Sequence, residues 1–507
     1  MTYEFNPYLI LGVAQSASQQ EIQQSYKRLM QRLNPKANPN PAASIQSELV
    51  ATAYKMLMNS SQRREIDAVL ASLSGDTQEK SQFNMRILSS KRAVKPLSEE
   101  QVIYLLAEIA APPGTAQLLE QREVRLNLTI VIDQSKSMDD EGRMNRVKAA
   151  AQTIITELTN KDVISVVTFN DRASTIIPAT PVNDKMELRT RLGMIRPKGG
   201  TEIYQGLAEG VKQNRQYLSP QMVNHIILLT DGRTYGDEEK CLALAKQVAN
   251  EGISISAMGL GSDWNDVFLD EVASLTGGTS TYIKSVNMVS KFLNEQLRNL
   301  SGVFAERMQL SIVPDSDVAL EMAFKLSPQA QPLPHKTGII PLASLQGKRP
   351  ISVLLQFQLP ANMEQKYRGL ARIVASGDLI LAGAKRHYIV NDLSVEITAT
   401  SPQDTGPPTA IVDALSKLTL YRLQEKAQEA MERGDVEEAT RKLEYLATRL
   451  LDIGETELGR QTMAEAQHVM QTRAFSDETS KKTIKYQTRA LMQPGGVKEV
   501  LTTLFED

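Results

Sequence analysis

At 507 residues the chain has room for three or four domains of about 150 residues each and for a sizeable core. Its 57 lysines and arginines nearly balance 59 aspartates and glutamates, a formal charge of −2, so no whole-chain basic field exists to recruit nucleic acid or a membrane surface. The single Cys241 excludes an intrachain disulfide and a zinc–cysteine cluster, and His225, His335, His387 and His468 are scattered without metal-ligand spacing.

The first residues, Met-Thr-Tyr-Glu-Phe-Asn, lack the basic and apolar blocks of a signal peptide. No apolar stretch reaches the roughly 18–20 residues of a membrane span, so a soluble cytoplasmic protein is expected. Residues 6–70 read as a small helical module. Ser18 and Glu21 form a capping box ahead of a helix over 22–33, in which Ile22, Tyr26, Leu29 and Leu33 recur at helical spacing. A second helix is predicted over 42–58, with Ile45, Leu49, Ala53, Tyr54 and Leu57 on one face. The segments Tyr8-Leu9-Ile10-Leu11-Gly12-Val13, Ala53-Tyr54-x-x-Leu57 and Arg63-Arg64-x-Ile66-Asp67 resemble a J-domain, the co-chaperone module that stimulates heat-shock ATPases. The resemblance implies that fold for residues 1–72. The activity it would also imply depends on a His-Pro-Asp tripeptide, and this chain has Asn34-Pro35-Lys36 there, so a degenerate module is expected. Lys27, Arg28 and Arg32 fit the basic face with which J-domains meet an acidic partner, and a solvated helix face accounts for them equally well.

Residues 73–82 are polar, contain Gly75 and read as a linker. Strands are predicted over 85–94 and 101–111, and strand-like segments resume at 308–313, 318–324, 351–359, 367–375 and 388–398. The economical arrangement is one antiparallel β-sandwich from 83–123 and 306–400, with residues 124–305 inserted, since domain termini often lie close together. Within the insert, strands at 126–132, 163–169, 224–230, 253–260 and 281–283 alternate with helices at 143–159, 186–194, 203–214, 238–250, 267–275 and 289–300. That alternation predicts an α/β doubly wound, mostly parallel sheet, with an antiparallel edge strand near 174–178.

In this insert Asp133, Ser135 and Ser137 follow the apolar run 126–132 with the spacing Asp-x-Ser-x-Ser, while Thr201 follows Lys198-Gly199-Gly200 and Asp231 follows Leu228-Leu229-Thr230. A hard divalent ion such as Mg²⁺ takes oxygen ligands at about 2.0–2.1 Å and keeps several waters, which suits carboxylates and hydroxyls from separate loops. Loops at the carboxyl ends of strands in such a sheet converge on one crevice. Local capping and turn chemistry is the alternative for each residue alone. The five positions resemble the metal-ion-dependent adhesion site of the von Willebrand factor type A domain. That resemblance implies that Ser135, Ser137 and Thr201 bind the ion directly, that Asp133 and Asp231 act mainly through bound water, and that a partner's Asp or Glu completes the coordination of Mg²⁺, Mn²⁺ or Ca²⁺. Lys136 departs from the small residue many members carry, and its stem can turn the charge to water or offer it to an acidic ligand. Asp139, Asp140 and Glu141 resemble the second site of integrin β subunits at a spacing one residue shorter, and solvated loop charges are the better reading.

From residue 408 to 507 the chain is expected to be helical, over 409–433, 436–451, 456–471 and 476–492, with breaks at Gly434-Asp435 and Gly454-Glu455. The tetratricopeptide signature, with its period of about 34 residues, is absent, so a plain helical bundle is predicted. The whole order is similar to that of cytoplasmic bacterial type A proteins.

Enzymatic motifs are missing. There is no phosphate-binding Gly-x-x-x-x-Gly-Lys-Ser/Thr loop, no Gly-x-Ser-x-Gly elbow and no His-Glu-x-x-His helix, so the chain reads as a non-enzyme. Cys241 reads as a small buried residue, and Trp264 either caps the core or contacts a partner from the rim. The preferred function is an intracellular metal-dependent scaffold for a protein partner that presents an Asp or Glu, with loops 134–141, 198–204, 233–238 and 263–266 setting specificity. A chaperone adaptor acting through the J-like module is the alternative, and a metal-dependent hydrolase a third reading. Neither nucleic acid nor a membrane span is expected.

Overall fold

Four capped helices open the chain in the computed structural model, which describes residues 5–36, 38–73, 82–115, 119, 124–234, 236–284, 288–364, 366–380, 385–399 and 406–491. They are α1 (Pro7–Leu11), α2 (Gln19–Arg32), α3 (Pro41–Met58) and α4 (Ser60–Leu73). Ser18 and Glu21 close the capping box: Glu21 N donates to Ser18 Oγ at 3.2 Å and Ser18 N to Glu21 Oε2 at 2.7 Å. An asparagine cap followed by proline starts both α1 and α3. Ile22, Leu29, Val50, Leu57 and Ile66 form the core of this module, and Val313 from a later β-strand completes it.

Polar contacts also tie the module to that strand, to the residue just after it and to Asp392 on a further strand. Arg32 Nε lies 2.6 Å from Asp315 and its Nη1 2.9 Å from Asp392, while Asn38 Nδ2 donates to Pro314 O at 2.9 Å and Gln46 Nε2 to Ser311 O at 2.9 Å. Of the three cations expected on one basic face, Lys27 and Arg28 are exposed, whereas Arg32 is half-buried and ion-paired within the chain. The expected linker at 73–82 lies almost entirely outside the described residues.

After β1 (Asn84–Ser89), β2 (Ala93–Val94) and β3 (Gln101–Ala110), the α/β region begins. It runs β4 (Leu126–Asp133), α5 (Arg143–Glu157), β5 (Val163–Phe169), β6 (Ala173–Pro181), α6 (Lys185–Gly193), α7 (Ile203–Arg215) and β7 (Val223–Thr230). Then come α8 (Glu238–Glu251), β8 (Ile253–Leu260), α9 (Asp266–Thr276), β9 (Ser280–Ile283) and α10 (Val289–Ser301). These six strands form one sheet in the order β6-β5-β4-β7-β8-β9, with β6 antiparallel and the others parallel. Strands β4, β5, β7 and β8 are buried along their whole length, as continuous apolar strands covered on both faces must be. Helix α7 lies close on the sheet because it carries glycines: a Cβ on Gly206 would sit 2.4 Å from Phe169, and one on Gly210 2.6 Å from Val131.

Strands β10 (Val303–Pro314), β11 (Ala319–Ser327), β12 (Gln331–Pro332), β13 (Ile339–Gln346), β14 (Ile351–Leu359), β15 (Tyr367–Leu379) and β16 (Lys385–Ile397) join β1–β3 in two five-stranded sheets, β1-β3-β14-β11-β12 and β13-β10-β15-β16-β2. Three differences from the sequence reading have physical causes. The single strand expected over 85–94 splits at polar Ser90-Lys91-Arg92, and its halves join different sheets. The unpredicted β13 contains Pro341, which a strand tolerates at a sheet edge, where β13 lies. Strand β15 continues through Gly377 because that glycine is a point of close approach: a Cβ there would sit 2.1 Å from Met308 Sδ.

Helices α11 (Thr409–Glu432), α12 (Val436–Asp452), α13 (Thr456–Thr472) and α14 (Glu478–Leu491) follow, and residues 492–507 of the expected helical region lie outside the described residues. Ala427, Ala430, Ala439, Leu443, Ala466 and Val469 make a small core for α11–α13. Helix α14 instead buries cations: Lys482, Lys485 and Arg489 are all nearly inaccessible. Among the described residues no helix is long and apolar enough to cross a membrane.

Two uncertain side chains are resolved. Trp264 is fully buried in the α/β core, its Nε1 donating to Gly261 O at 2.9 Å, so it is no rim contact. Asp266 pairs with Lys485 and the carbonyl of Trp264 accepts from Lys482, so α14 occupies much of the 263–266 loop expected to set partner specificity. Cys241 is buried, and burial pushes its thiol pKa far above the usual range.

Candidate metal centre

Strands β4 and β7 are parallel neighbours with Ile132 opposite Leu229, so Asp133 at the end of one and Asp231 just beyond the other emerge side by side. The chain direction of the sheet's growth reverses between these two strands, the position where open α/β sheets form their crevice. Asp133 is buried; its Oδ1 accepts from Ser135 N at 2.8 Å and its Oδ2 from Thr230 Oγ1 at 2.6 Å. Ser135 precedes a 3-10 turn, Lys136–Gly142, which folds Ser137 back so that the two Oγ atoms lie 3.0 Å apart. Ser137 Oγ donates to Asp231 Oδ1 at 2.8 Å, and Ser135 Oγ lies 3.5 Å from the same oxygen.

Thr201 enters from the loop before α7. Lys198 N donates to Gln134 O at 2.6 Å and Lys136 N to Gly199 O at 3.3 Å, which binds this loop to the Asp133 loop. Ile203 N donates to Thr234 Oγ1 at 3.0 Å and Tyr204 N to Asp237 Oδ2 at 2.8 Å, which binds it to the Asp231 loop. Thr201 Oγ1 packs on Gly232, 3.2 Å from where a Cβ would be. Four of the predicted residues are thus joined by direct hydrogen bonds, and Thr201 reaches them by packing.

Burial pushes the Asp133 carboxyl up to about 6 against the hydrogen bonds from Thr230 and Ser135, with Asp231 adding to the rise. The side chain of Asp231 is fully buried and pairs with Arg143, Nη1 to Oδ2, at 2.8 Å. Arg143 and Thr230 are the site residues that sequence reasoning missed. Arg143 left one signal: it opens α5 without an acidic residue in the first turn, and a cation there opposes the helix dipole unless a carboxylate compensates. Lys136, Asp139 and Asp140 are exposed, and the side chain of Glu141 lies outside the described residues. His225 is on β7 at the end away from Asp231, bonded to Ser256 at 3.1 Å, and burial pushes its pKa down to about 3. Among the described residues no group of three or more His, Cys, Asp or Glu side chains is arranged to hold a metal. The donor set gathered at the crevice, two carboxylates and three hydroxyls, is one of hard oxygens and fits Mg²⁺, Mn²⁺ or Ca²⁺.

The α/β sheet is that of a type A domain. The von Willebrand factor type A family model matches residues 127–298, the DnaJ domain model residues 6–67, and the model described as "Sll0103-like, C-terminal alpha-helical domain" residues 409–494. The chain therefore carries a type A domain between a DnaJ domain and that helical domain. Among its relatives, protein sll0103 of Synechocystis is 28% identical over 216 residues, 42% of this chain and 51% of that one. YfbK of Escherichia coli is 24% identical over 190 residues, 37% of this chain and 33% of that one. Chaperone protein DnaJ 1 of Nocardia farcinica is 42% identical over 60 residues, 12% of this chain and 16% of that one. The chain thus spans about half of the first relative and a third of the second. A solved von Willebrand factor type A protein from Catenulispora acidiphila shares the fold with TM-score 0.67 at 16% identity, over 80% of this chain and 96% of that one. The ArnB paralog VWA2 from Sulfolobus acidocaldarius does so with TM-score 0.53 at 15% identity, over 80% and 98%.

Proposed function

We propose that the chain is an intracellular protein-interaction scaffold, without catalytic activity, whose type A domain grips an Asp or Glu of a partner protein through a divalent cation, Mg²⁺ with Mn²⁺ or Ca²⁺ as substitutes. The observation that carries this reading is the joining of Asp133, Ser135, Ser137 and Asp231 by short hydrogen bonds at one buried crest. Ser135, Ser137 and Thr201 would hold the ion, and Asp133 and Asp231 would hold its waters. Bound there, the ion supplies formal positive charge for a carboxylate that replaces a water. The protein's own part is orientation: Thr230 and the Ser135 amide fix Asp133, while Ser137 and Arg143 fix the two oxygens of Asp231.

The chaperone-adaptor reading is less well supported, because Arg32 and Asn38, beside the degenerate tripeptide, are engaged by the chain's own strand end. The scaffold is tested by isolating partners from native cells in Mg²⁺ and in EDTA, with Asp133→Ala as control. Acidic partners lost in both EDTA and the variant are the expected result. Partners indifferent to both would sink the adhesion-site mechanism and move the interaction to the J-like module or the helical tail.

A further inference from the structure

We infer that Arg143 is a built-in counter-cation of the site, which lowers its affinity for the divalent ion and raises the affinity of the ion-loaded site for an acidic partner. The inference rests on the proposed ion-binding reading and goes beyond it by assigning a residue that sets both affinities, in opposite directions.

The guanidinium is placed deliberately. Its Nη1 lies 2.8 Å from Asp231 Oδ2, with the aspartate side chain fully buried and the arginine side chain only 14% exposed. On its other side is the backbone of Gly261, where an added Cβ would come within 3.2 Å of Nη2. Arg143 also opens α5, where the helix dipole and Arg146 in the same turn disfavour its charge, and the pair with Asp231 offsets part of that cost. Because Arg143 takes Oδ2, the other oxygen is left to Ser137 and Ser135.

Charge arithmetic follows from this arrangement. Asp133 and Asp231 with Arg143 carry a formal charge of minus one, which a divalent ion converts to plus one. Without Arg143 the same site would be minus two before the ion and neutral after it. The neighbouring Lys136, Asp139, Asp140 and Arg233 are exposed, and solvent screens them more than it screens Arg143. A close, half-desolvated unit charge acts on its neighbours by about tenfold or more in an equilibrium constant. Arg143 therefore opposes the ion and favours a carboxylate.

The test uses the full chain as wild type, Arg143→Gln and Arg143→Lys. Mn²⁺ alone is titrated by calorimetry, and a fluorescent oligoglutamate peptide is then titrated at saturating Mn²⁺. Arg143→Gln is expected to bind Mn²⁺ about tenfold tighter and the peptide about tenfold weaker, while melting lower than wild type in EDTA; Arg143→Lys, which keeps the charge, should restore the wild-type order. Loss of a merely structural contact would weaken both bindings together. If wild type takes up Mn²⁺ and Arg143→Gln binds it equally or less tightly, the role of Arg143 is overturned while the ion site stands. If wild type takes up no Mn²⁺, the ion-binding reading and this inference fall together. Arg143→Met, which keeps the packing of the stem, replaces the glutamine variant in the same titrations if that variant does not fold.

Discussion

Lys482 places its ammonium 4.7 Å from the ring centre of Trp264 and donates to that residue's backbone carbonyl at 2.7 Å. A cation over an indole face is attracted by the ring quadrupole, and more so when both are desolvated. The rest of the α14 contact has the same character. Lys485 Nζ lies 2.8 Å from Asp270, and Arg489 Nη1 2.7 Å from the same carboxylate. Buried charge pairs and hydrogen bonds to carbonyls thus help to hold this helix, beside the packing of Ile484, Tyr486 and Leu491.

Such an interface is costly to break on one side. Burial acts to raise the Asp270 carboxyl, but Arg489 and Lys485 outweigh it and hold the pKa down at about 2. Asp270→Ala would leave Lys485 and Arg489 buried with less compensation, a loss of about 3–5 kcal/mol in comparable buried pairs. We expect α14 to detach first, read as lost amide protection across 478–491 before global unfolding. A variant with protection equal to wild type would show that the pairs contribute little.

Much of this region was legible in sequence and some of it was not. The strands of the α/β sheet announce themselves because burial on both faces demands unbroken apolar runs, and four of the five crest residues stand at or just past the ends of those runs, while Thr201 precedes a helix. Arg143 could not be assigned, because its partner is 88 residues away and only the fold brings them together. Trp264 was ambiguous for the same reason, since the lysine that covers it is 218 residues downstream. Local signals place a residue on an element, while its role in a charge pair is set by topology.

The ion should stabilise the folded chain. A ligand that binds only the native state contributes RT ln(1 + [L]/Kd), about 2.7 kcal/mol at a hundredfold excess over Kd. Millimolar Mg²⁺ or Mn²⁺ is therefore expected to raise the melting temperature of the type A domain, and Asp133→Ala or Asp231→Ala to abolish that increment while leaving the fold. A wild-type melting temperature unmoved up to tens of millimolar ion would count against the site.

The J-like module shares its core with a strand outside it, through fully buried Val313. Val313→Ala is expected to cost roughly 1–3 kcal/mol by cavity formation and to lower the midpoints of the helical module and of the β10 sheet together. In the full chain the wild-type sequence Asn34-Pro35-Lys36 should give no stimulation of a heat-shock ATPase. Separate midpoints for the two regions, or stimulation by wild type, would contradict this.

Burial pushes the Glu306 carboxyl up to about 8. A pKa raised in the folded state means that the native form holds the proton over a window where the unfolded form has released it. The associated stability is therefore complete below the unfolded value near 4.5 and is lost as pH rises toward 8. Glu306→Gln, which keeps the shape and cannot ionise, should flatten that decline and be more stable than wild type at pH 9. Parallel denaturation curves for the two proteins between pH 5 and 9, on the order of 0.3 kcal/mol or less apart, would argue against it.

The support beneath the site can be tested apart from its ligands. Thr230 Oγ1 donates to Asp133 Oδ2 at 2.6 Å, and Thr230 itself is fully buried at the end of β7. Thr230→Val keeps the branched shape that a central strand prefers and removes this donor together with the longer bond that Oγ1 accepts from Gly232 N at 3.3 Å. A hydrogen bond to a charged group contributes about 1.5–3 kcal/mol, so some stability is lost in the ion-free chain. The larger expected effect is on the ion. A residue that orients a ligand from behind typically changes metal affinity by about 10–100-fold when removed, because the ligand can then rotate away from the geometry the site requires. Mn²⁺ titration of Thr230→Val should therefore show weaker binding than wild type, opposite in direction to Arg143→Gln although both variants remove one hydrogen bond from a site aspartate. Equal Mn²⁺ affinity in wild type and Thr230→Val would mean that the Ser135 amide alone suffices to hold Asp133 in place.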